Sequence, residues 1–159
     1  MESARPAARS DVEHLVQLWR QALTELDGHR GGALLAGGLA RPDLRSWLSG
    51  ALADPERALV VGLIEGTPVG LASAFAERSG GGGLGVVDLI YVDPAARQVG
   101  VGEAMLSQVL SWCERLGLAG LDAPALPGSR SAKSFFEDNG FQARLLVMHR
   151  PVRPRGDGL

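Results

Sequence analysis

The sequence predicts one α/β domain of the α+β kind, with its elements in the order β-α-α-β-β-β-α-β-α-β. Three observations carry that expectation. Apolar residues recur at helical spacing near the N-terminus and again after residue 102. Short β-branched runs lie between turn signals from residue 58 to residue 92. A glycine-bearing loop then joins the last of those runs directly to a helix.

Taken in order, residues 3–8 fit a short edge strand, and Ser10-Asp11-Val12-Glu13 has the form of a capping box, which starts a helix. Val12, Leu15, Val16, Trp19, Ala22, Leu23 and Leu26 recur on one helical face, with Glu13, His14, Gln17, Arg20 and Gln21 opposite. Residues 27–41 are glycine-rich and break the pattern, so they read as a mobile loop, and a second helix follows Pro42 through Leu52. Residues 58–64 and 69–75 form a hairpin around Glu65-Gly66-Thr67-Pro68, and residues 84–92 add a third strand after the glycine run at 79–83. The helix after Gly102 buries Val101, Met105, Val109, Trp112, Cys113 and Leu116 and stops at Gly117. Residues 118–124 are a short strand, 131–139 a helix closed by Gly140, and 141–149 a final strand.

The 159 residues suffice for one domain, expected over 1–150, with 151–159 a flexible tail marked by Pro151 and Pro154. Sixteen cations and eighteen anions mix along the chain, giving a formal charge of -2, so no global field draws it to nucleic acid or to an acidic membrane. Fifteen of the cations are Arg among many Ala, Gly and Pro, which reads as codon bias in a GC-rich genome rather than a binding property. Cys113 is alone, so neither a disulfide nor a zinc site is expected, and it falls on the apolar helix face as a core residue rather than a nucleophile. The N-terminus lacks a signal-peptide core and no apolar run reaches the ~18 residues of a membrane span, so a soluble, cytoplasmic protein is expected.

The loop Arg97-Gln98-Val99-Gly100-Val101-Gly102 is the strongest chemical signal. A strand, a short glycine loop and a helix N-terminus together make an anion site, because the first-turn N–H groups have no partner and sit at the positive end of the helix. A dinucleotide fingerprint would need a third glycine where Met105 stands, and a Walker loop needs a Gly-Lys-Ser/Thr run, whereas the only lysine is Lys133. The remaining ligand is the pyrophosphate of coenzyme A.

The run from Leu89 to Gly102, with Val92-Asp93-Pro94 followed by Arg97-Gln98-Val99-Gly100-Val101-Gly102, resembles motif A of the GNAT acetyltransferase superfamily, whose signature is Q/R-x-x-G-x-G/A after a strand ending V-x-P. Ala132 to Phe141 resembles the family's A-x-x-hydrophobic-Y-E-x-x-G-F element, and Arg5-Pro6-Ala7 with Asp11 resembles its usual start. The resemblance spans essentially the whole chain. It implies a single GNAT-like domain with a mixed central sheet of about six to seven strands flanked by about four helices, and acetyl-CoA as cofactor. The backbone of Ile90, Tyr91 and Val92 would run beside the pantetheine arm, with an N–H near Ile90 as oxyanion donor. The N–H groups of Gln98, Val99, Gly100, Val101, Gly102 and Glu103 would cradle the pyrophosphate, and Arg97 would add charge. Ser129, where the family often has Asn, and Ser131 complete the set expected to touch the cofactor.

The implied reaction is direct attack of a primary amine on the acetyl thioester in a ternary complex. Such an amine titrates near ~10.4 in water and must lose its proton first. Asp88 is the first candidate base. Alternation places it on the face of Ile90 and Val92, and aminoglycoside acetyltransferases carry an acid at the matching position. The alternative is a structural Asp bonded to backbone or to an arginine. Asp122, near the end of the next strand, is a second candidate, although it requires a two-residue shift from the family pattern. Phe136 stands where the family often has a Tyr that protonates the leaving thiolate. Tyr91 is the only phenol and should alternate away from Asp88, which leaves water or a hydroxyl such as Ser134 for that role. His29 falls in the loop that would line the acceptor site, His14 and His149 read as solvated, and Trp47 reads as either core or substrate wall.

The expected acceptor is a small-molecule amine, aminoglycoside-like or other, or a peptide amine, with neither nucleic acid nor membrane as partner. A homodimer stands as an alternative to a monomer. The competing functions are a non-catalytic acyl-CoA-binding or regulatory domain, and a nucleotide-binding protein that ATP or NAD would stabilise.

Overall fold

The amphipathic face that begins at Val12 needs an apolar surface to cover, and the runs from residue 57 onward provide it. The computed structural model describes residues 1–152. Its elements are β1 (Glu2–Pro6), α1 (Val12–Asp27), α2 (Gly32–Leu39), α3 (Leu44–Leu52), β2 (Arg57–Ile64), β3 (Thr67–Glu77), β4 (Leu84–Val92), α4 (Val101–Arg115), β5 (Leu121–Asp122) and α5 (Arg130–Asp138). The strands form one sheet in the order β1-β2-β3-β4-β5, antiparallel throughout except that β5 runs parallel to β4. Leu59, Leu71, Leu89 and Tyr91 face α1 and α3, while Val60, Ala72, Ala74 and Val87 face Val101, Met105 and Val109 of α4.

Local chemistry explains several joints. Glu65 and Gly66 take φ of 47° and 77°, the two positive dihedrals of the tight turn that suits the twist of the β2–β3 hairpin. A Cβ at Gly62 would lie 2.5 Å from Val101 Cγ1 and 2.9 Å from Met105 Sδ, so the bare backbone of β2 lets the first turn of α4 settle directly on the sheet.

Three expectations need correction. The sheet has five strands among the described residues, fewer than six to seven, because residues 141–149 take no ladder and Leu121–Asp122 is all that remains of the strand expected at 118–124. Among the described residues the α-helices number five rather than about four, since Gly32–Leu39 is α2 inside the stretch that reads as a loop. Its glycines lower helix propensity, but Leu39 is buried against α1 and the Leu39 carbonyl accepts from Trp19 Nε1 at 3.0 Å, so packing overrides propensity. Finally, the cap at the start of α1 is Asp11 rather than Ser10. Asp11 reaches back to the Ala8 N–H at 2.7 Å and takes a two-pronged bond from Arg5 at 2.7 and 3.0 Å. The tail expected at 151–159 lies outside the described residues from 153 onward.

The Arg5 guanidinium holds the buried Asp11 carboxyl below its ordinary value. Because the folded value is the depressed one, the stability this pair contributes is complete above the unfolded value of about 3.9 and is lost as pH falls through the folded one. Asp11→Asn should therefore cost about 1–3 kcal/mol near neutral pH and progressively less as pH falls below the unfolded value. Urea unfolding across a descending pH series checks this, and a cost that stays constant down to acid unfolding would refute the pairing.

Candidate active site

The site begins with a miscount between two strands. Ser73 of β3 pairs with Leu89 and Ala74 pairs with Val87, so one step on β3 meets two on β4, and the extra residue is Asp88. The bulge reverses the alternation of β4. Val87 faces α4, Asp88 and then Leu89 face α1 and α3, and Ile90 and Val92 return to the α4 side. Asp88 therefore does not share a face with Ile90 and Val92, as regular alternation predicts. Tyr91 lies on the same side as Asp88 instead of opposite it.

Beyond the bulge β4 loses its neighbour. β5 pairs only at Gly85 and Val86, and Val87 to Val92 run on with a free edge. The Asp93 N–H bonds to Val69 O across β3 at 2.8 Å, so alternation turns Tyr91 toward β3 and leaves the backbone groups of Ile90 and Val92 on that edge. The Val92 carbonyl takes Arg97 Nε at 2.8 Å, which leaves both groups of Ile90 and the Val92 N–H for an added strand. At the end of β4 the chain curls through Gln98 (φ 67°) and Gly100 (φ 97°) into α4. Gln98 in a left-handed conformation is costly for a side chain with a Cβ, and such strain gathers where a loop must present its amides. The first helical bond runs from the Ala104 N–H to Gly100 O at 3.0 Å, and no side chain caps α4, so the Val101, Gly102 and Glu103 N–H groups converge unpaired. This donor set fits a pyrophosphate, and the free edge of β4 fits an extended arm beside it.

A cleft of about 120 Å³ opens beside the free edge, between β4, the α1–α2 corner and α5. Glu25, His29, Asp88, Ile90, Ser129 and Phe136 line it. Asp88 Oδ2 accepts from Arg57 Nη1 at 2.8 Å, and the same nitrogen lies 2.8 Å from Ser73 Oγ. The Arg57 guanidinium sits over Trp47 and Phe75, with ring centroids at 4.8 and 5.4 Å. Asp88 Oδ1 is buried and has no hydrogen-bond partner among the described residues. A buried carboxylate oxygen left unpaired is expensive, so this atom is suited to receive a donor from the cleft.

Several expected residues land elsewhere. Arg97 turns away from the cradle, bonds Glu25 at 2.8 Å and stacks over Tyr91 at 5.5 Å, tying the end of β4 to α1. Asp122 is held by Arg144 through Nε at 2.8 Å, which keeps its carboxyl below the ordinary range and commits it to a surface ion pair outside the cleft. Phe136 is buried against Phe135 and Phe141. Burial pushes the Tyr91 phenol up, and its oxygen lies 3.5 Å from Gln21 Oε1, away from the cleft lining. Ser134 does not line the cleft, which leaves Ser129 as its hydroxyl. The Ser129 side chain makes no cap bond to α5, and Ser131 stands in the first turn of that helix. Arg57 and Ser73 escape sequence reading. They face the side of the sheet that alternation denies to Asp88, and only the bulge brings the three together.

A sequence model described as the acetyltransferase (GNAT) family matches residues 15–141. Comparison with curated proteins gives no match. Among solved structures, AAC(6')-Iy with a CoA bisubstrate analog of acetylneamine is 20% identical with a TM-score of 0.74, covering 97% of this chain and 99% of that one. An aminoglycoside acetyltransferase from an uncultured soil metagenomic sample, in complex with sisomicin, is 18% identical with a TM-score of 0.71 and 97% coverage of both chains. A transcriptional regulator from Bacillus halodurans C-125 is also 18% identical, with a TM-score of 0.70 and coverage of 94% and 100%. At these identities the likeness is one of fold.

Proposed function

The chain belongs to the GNAT acetyltransferase family, and from that premise we propose that it moves the acetyl group of acetyl-CoA to a primary amine of a small molecule, aminoglycoside-like or other, or of a peptide. Acetyl-CoA is the family's cofactor and supplies an acyl group already activated as a thioester. The unpaired N–H groups of Val101, Gly102 and Glu103 bind its pyrophosphate, and the free edge of β4 at Ile90 and Val92 aligns its arm. The Ile90 N–H points to the same edge and donates to the acyl oxygen. The arriving ammonium is drawn to Asp88 Oδ1 and gives up a proton there, directly or through water. Arg57, braced by Trp47 and Phe75, keeps the carboxylate oriented through Oδ2.

The observation that carries this reading is Asp88, which lines the cleft two residues from Ile90 and whose Oδ1 is buried without a hydrogen-bond partner among the described residues. Glu25 adds an acid to the same wall, but its pairing with Arg97 offsets that charge, so the cleft accommodates an amine without selecting a strong polycation. The test is thiol release from acetyl-CoA across a panel of aminoglycosides, polyamines, aryl-alkyl amines and short peptides. Release with at least one amine class is expected, together with thermal stabilisation by CoA and none by ATP or NAD. Stabilisation by ATP or NAD instead would overturn the cofactor assignment.

A second reading has a specific observation behind it. Phe136 offers no proton to a leaving thiolate and the one phenol lies outside the cleft, which suits an acyl-CoA-binding or regulatory module. Tight CoA binding without turnover for any amine favours that module. A thiolate near ~8.5 leaves tolerably without help, and Ser129 or water can protonate it afterwards, which favours the enzyme.

A further inference from the structure

We propose that the amine this cleft selects is a monoamine on a compact apolar body, and that Leu26, Leu35 and Leu126 receive that body; the inference rests on the acetyl-transfer reading above and narrows its acceptor.

Charge is the first ground. Two acids line the cleft, and each already holds an arginine, for Asp88 Oδ2 accepts from Arg57 at 2.8 Å and Glu25 Oε2 from Arg97 at 2.8 Å. Their charges cancel in pairs. His29, the remaining titratable group of the lining, adds positive charge or none. What stays open is one acceptor, because Asp88 Oδ1 is buried without a hydrogen-bond partner among the described residues. One ammonium answers it. A second ammonium in the same molecule would give up its water and find no free carboxylate in exchange, which is costly.

Polarity is the second ground. Where the cleft meets the α1–α2 corner, three half-buried leucines line it: Leu26 of α1, Leu35 of α2, and Leu126 from the segment joining β5 to α5. Leu126 bridges to that corner, since its Cδ1 lies 3.4 Å from where a Cβ would stand at Gly32 and its Cδ2 3.9 Å from where one would stand at Gly31. Such a wall offers no hydrogen bond and rewards carbon, by about fourfold in affinity for each methylene buried against it. Size is the third ground. About 120 Å³ must take both the acyl end of the cofactor and the head of the acceptor. A cavity of ~150 Å³ holds one benzene molecule, so the enclosed part of the acceptor is a single ring or a short chain.

Hexylamine and cadaverine test this directly, because they match in length and differ by a methyl group exchanged for an ammonium. In acetyl-CoA-dependent thiol release, kcat/KM for hexylamine should exceed that for cadaverine by at least about tenfold, and an aminoglycoside should rank no higher than cadaverine. From ethylamine to butylamine kcat/KM should rise about fourfold per carbon, and Leu126→Ala should flatten that rise. Arg97→Gln leaves Glu25 without its counter-charge and should move the ratio toward cadaverine. Titration calorimetry of both amines on the CoA-loaded protein gives the same ratio as dissociation constants. A protein that binds hexylamine tenfold more tightly yet releases no thiol would therefore count against acetyl transfer and not against the pocket. The proposal is overturned if the ratio falls below tenfold in both measurements, if neither amine binds, or if the rise per carbon survives Leu126→Ala.

Discussion

Asp88→Asn is expected to lower the rate of acetyl transfer by about 10²- to 10⁴-fold while the dissociation constant of CoA stays within about twofold. The side chain keeps its shape, and its remaining oxygen can still accept from Arg57 and leave Trp47 and Phe75 in place. What disappears is the capacity of Oδ1 to hold a proton taken from the amine. Arg57 loses its counter-charge, so stability falls by about 1–3 kcal/mol, and the comparison must be made well below the melting temperature of the variant. A purely structural Asp88 predicts something else. Activity would then follow the loss of folded protein, and the fall in kcat on the acid side of its pH profile would persist in the variant. Arg57→Lys separates the two roles, since it retains a cation for Oδ2 but loses the planar stack on Trp47 and the shared bond to Ser73. An intermediate kcat with wild-type CoA affinity is the expected result there.

Gly102→Val should weaken CoA binding by more than tenfold, equivalent to above ~1.4 kcal/mol, with the domain still folded. A Cβ at position 102 would lie 2.8 Å from Cε1 and 3.2 Å from Cζ of the Phe135 ring. That ring packs on Phe136 at 5.3 Å, so yielding space shifts the wall of the cleft as well as the first turn of α4. Either shift spoils the convergence of three N–H groups that gives the cradle its strength. Titration calorimetry with CoA measures the loss. Unchanged affinity would mean that the pyrophosphate does not sit on this turn.

Much of this arrangement was legible in the sequence, and the gaps have physical causes. The loop from Arg97 to Gly102 encodes its own geometry, because a left-handed dihedral at Gly100 and free first-turn amides follow from residue type and position. The α1 stripe and the β2–β3 hairpin were equally readable, since burial on one face leaves a period. The α2 helix was hidden because its order comes from Leu39 and Trp19 meeting across the fold rather than from its own glycine-rich propensity. Arg57 was hidden because its partner lies across a bulge that no single-strand pattern records. The run 145–148 has strand composition without a strand, since a ladder needs a second edge as well as a suitable sequence. Arg97 shows the limit of a motif, for the pattern places it just after β4 but does not tell that its guanidinium serves Glu25 and the Val92 carbonyl.

The bulge at Asp88 makes the chemistry of β4 depend on parity, not merely on composition. Asp88 is the residue a regular ladder would omit: without it Val87 and Leu89 become neighbours opposite Ala74 and Ser73, and they keep the opposite faces they already hold. Loss of any other single residue of β4 is different, because Gly85, whose bare backbone lies against Cys113 and Trp112, or its neighbours would then change sides. The strand behaves as a reading frame with one letter inserted. That insertion is what lets a carboxylate stand on one face and a cofactor's backbone partners on the other, so deletion of Asp88 should leave the sheet folded, whereas deletion of Val86 should not.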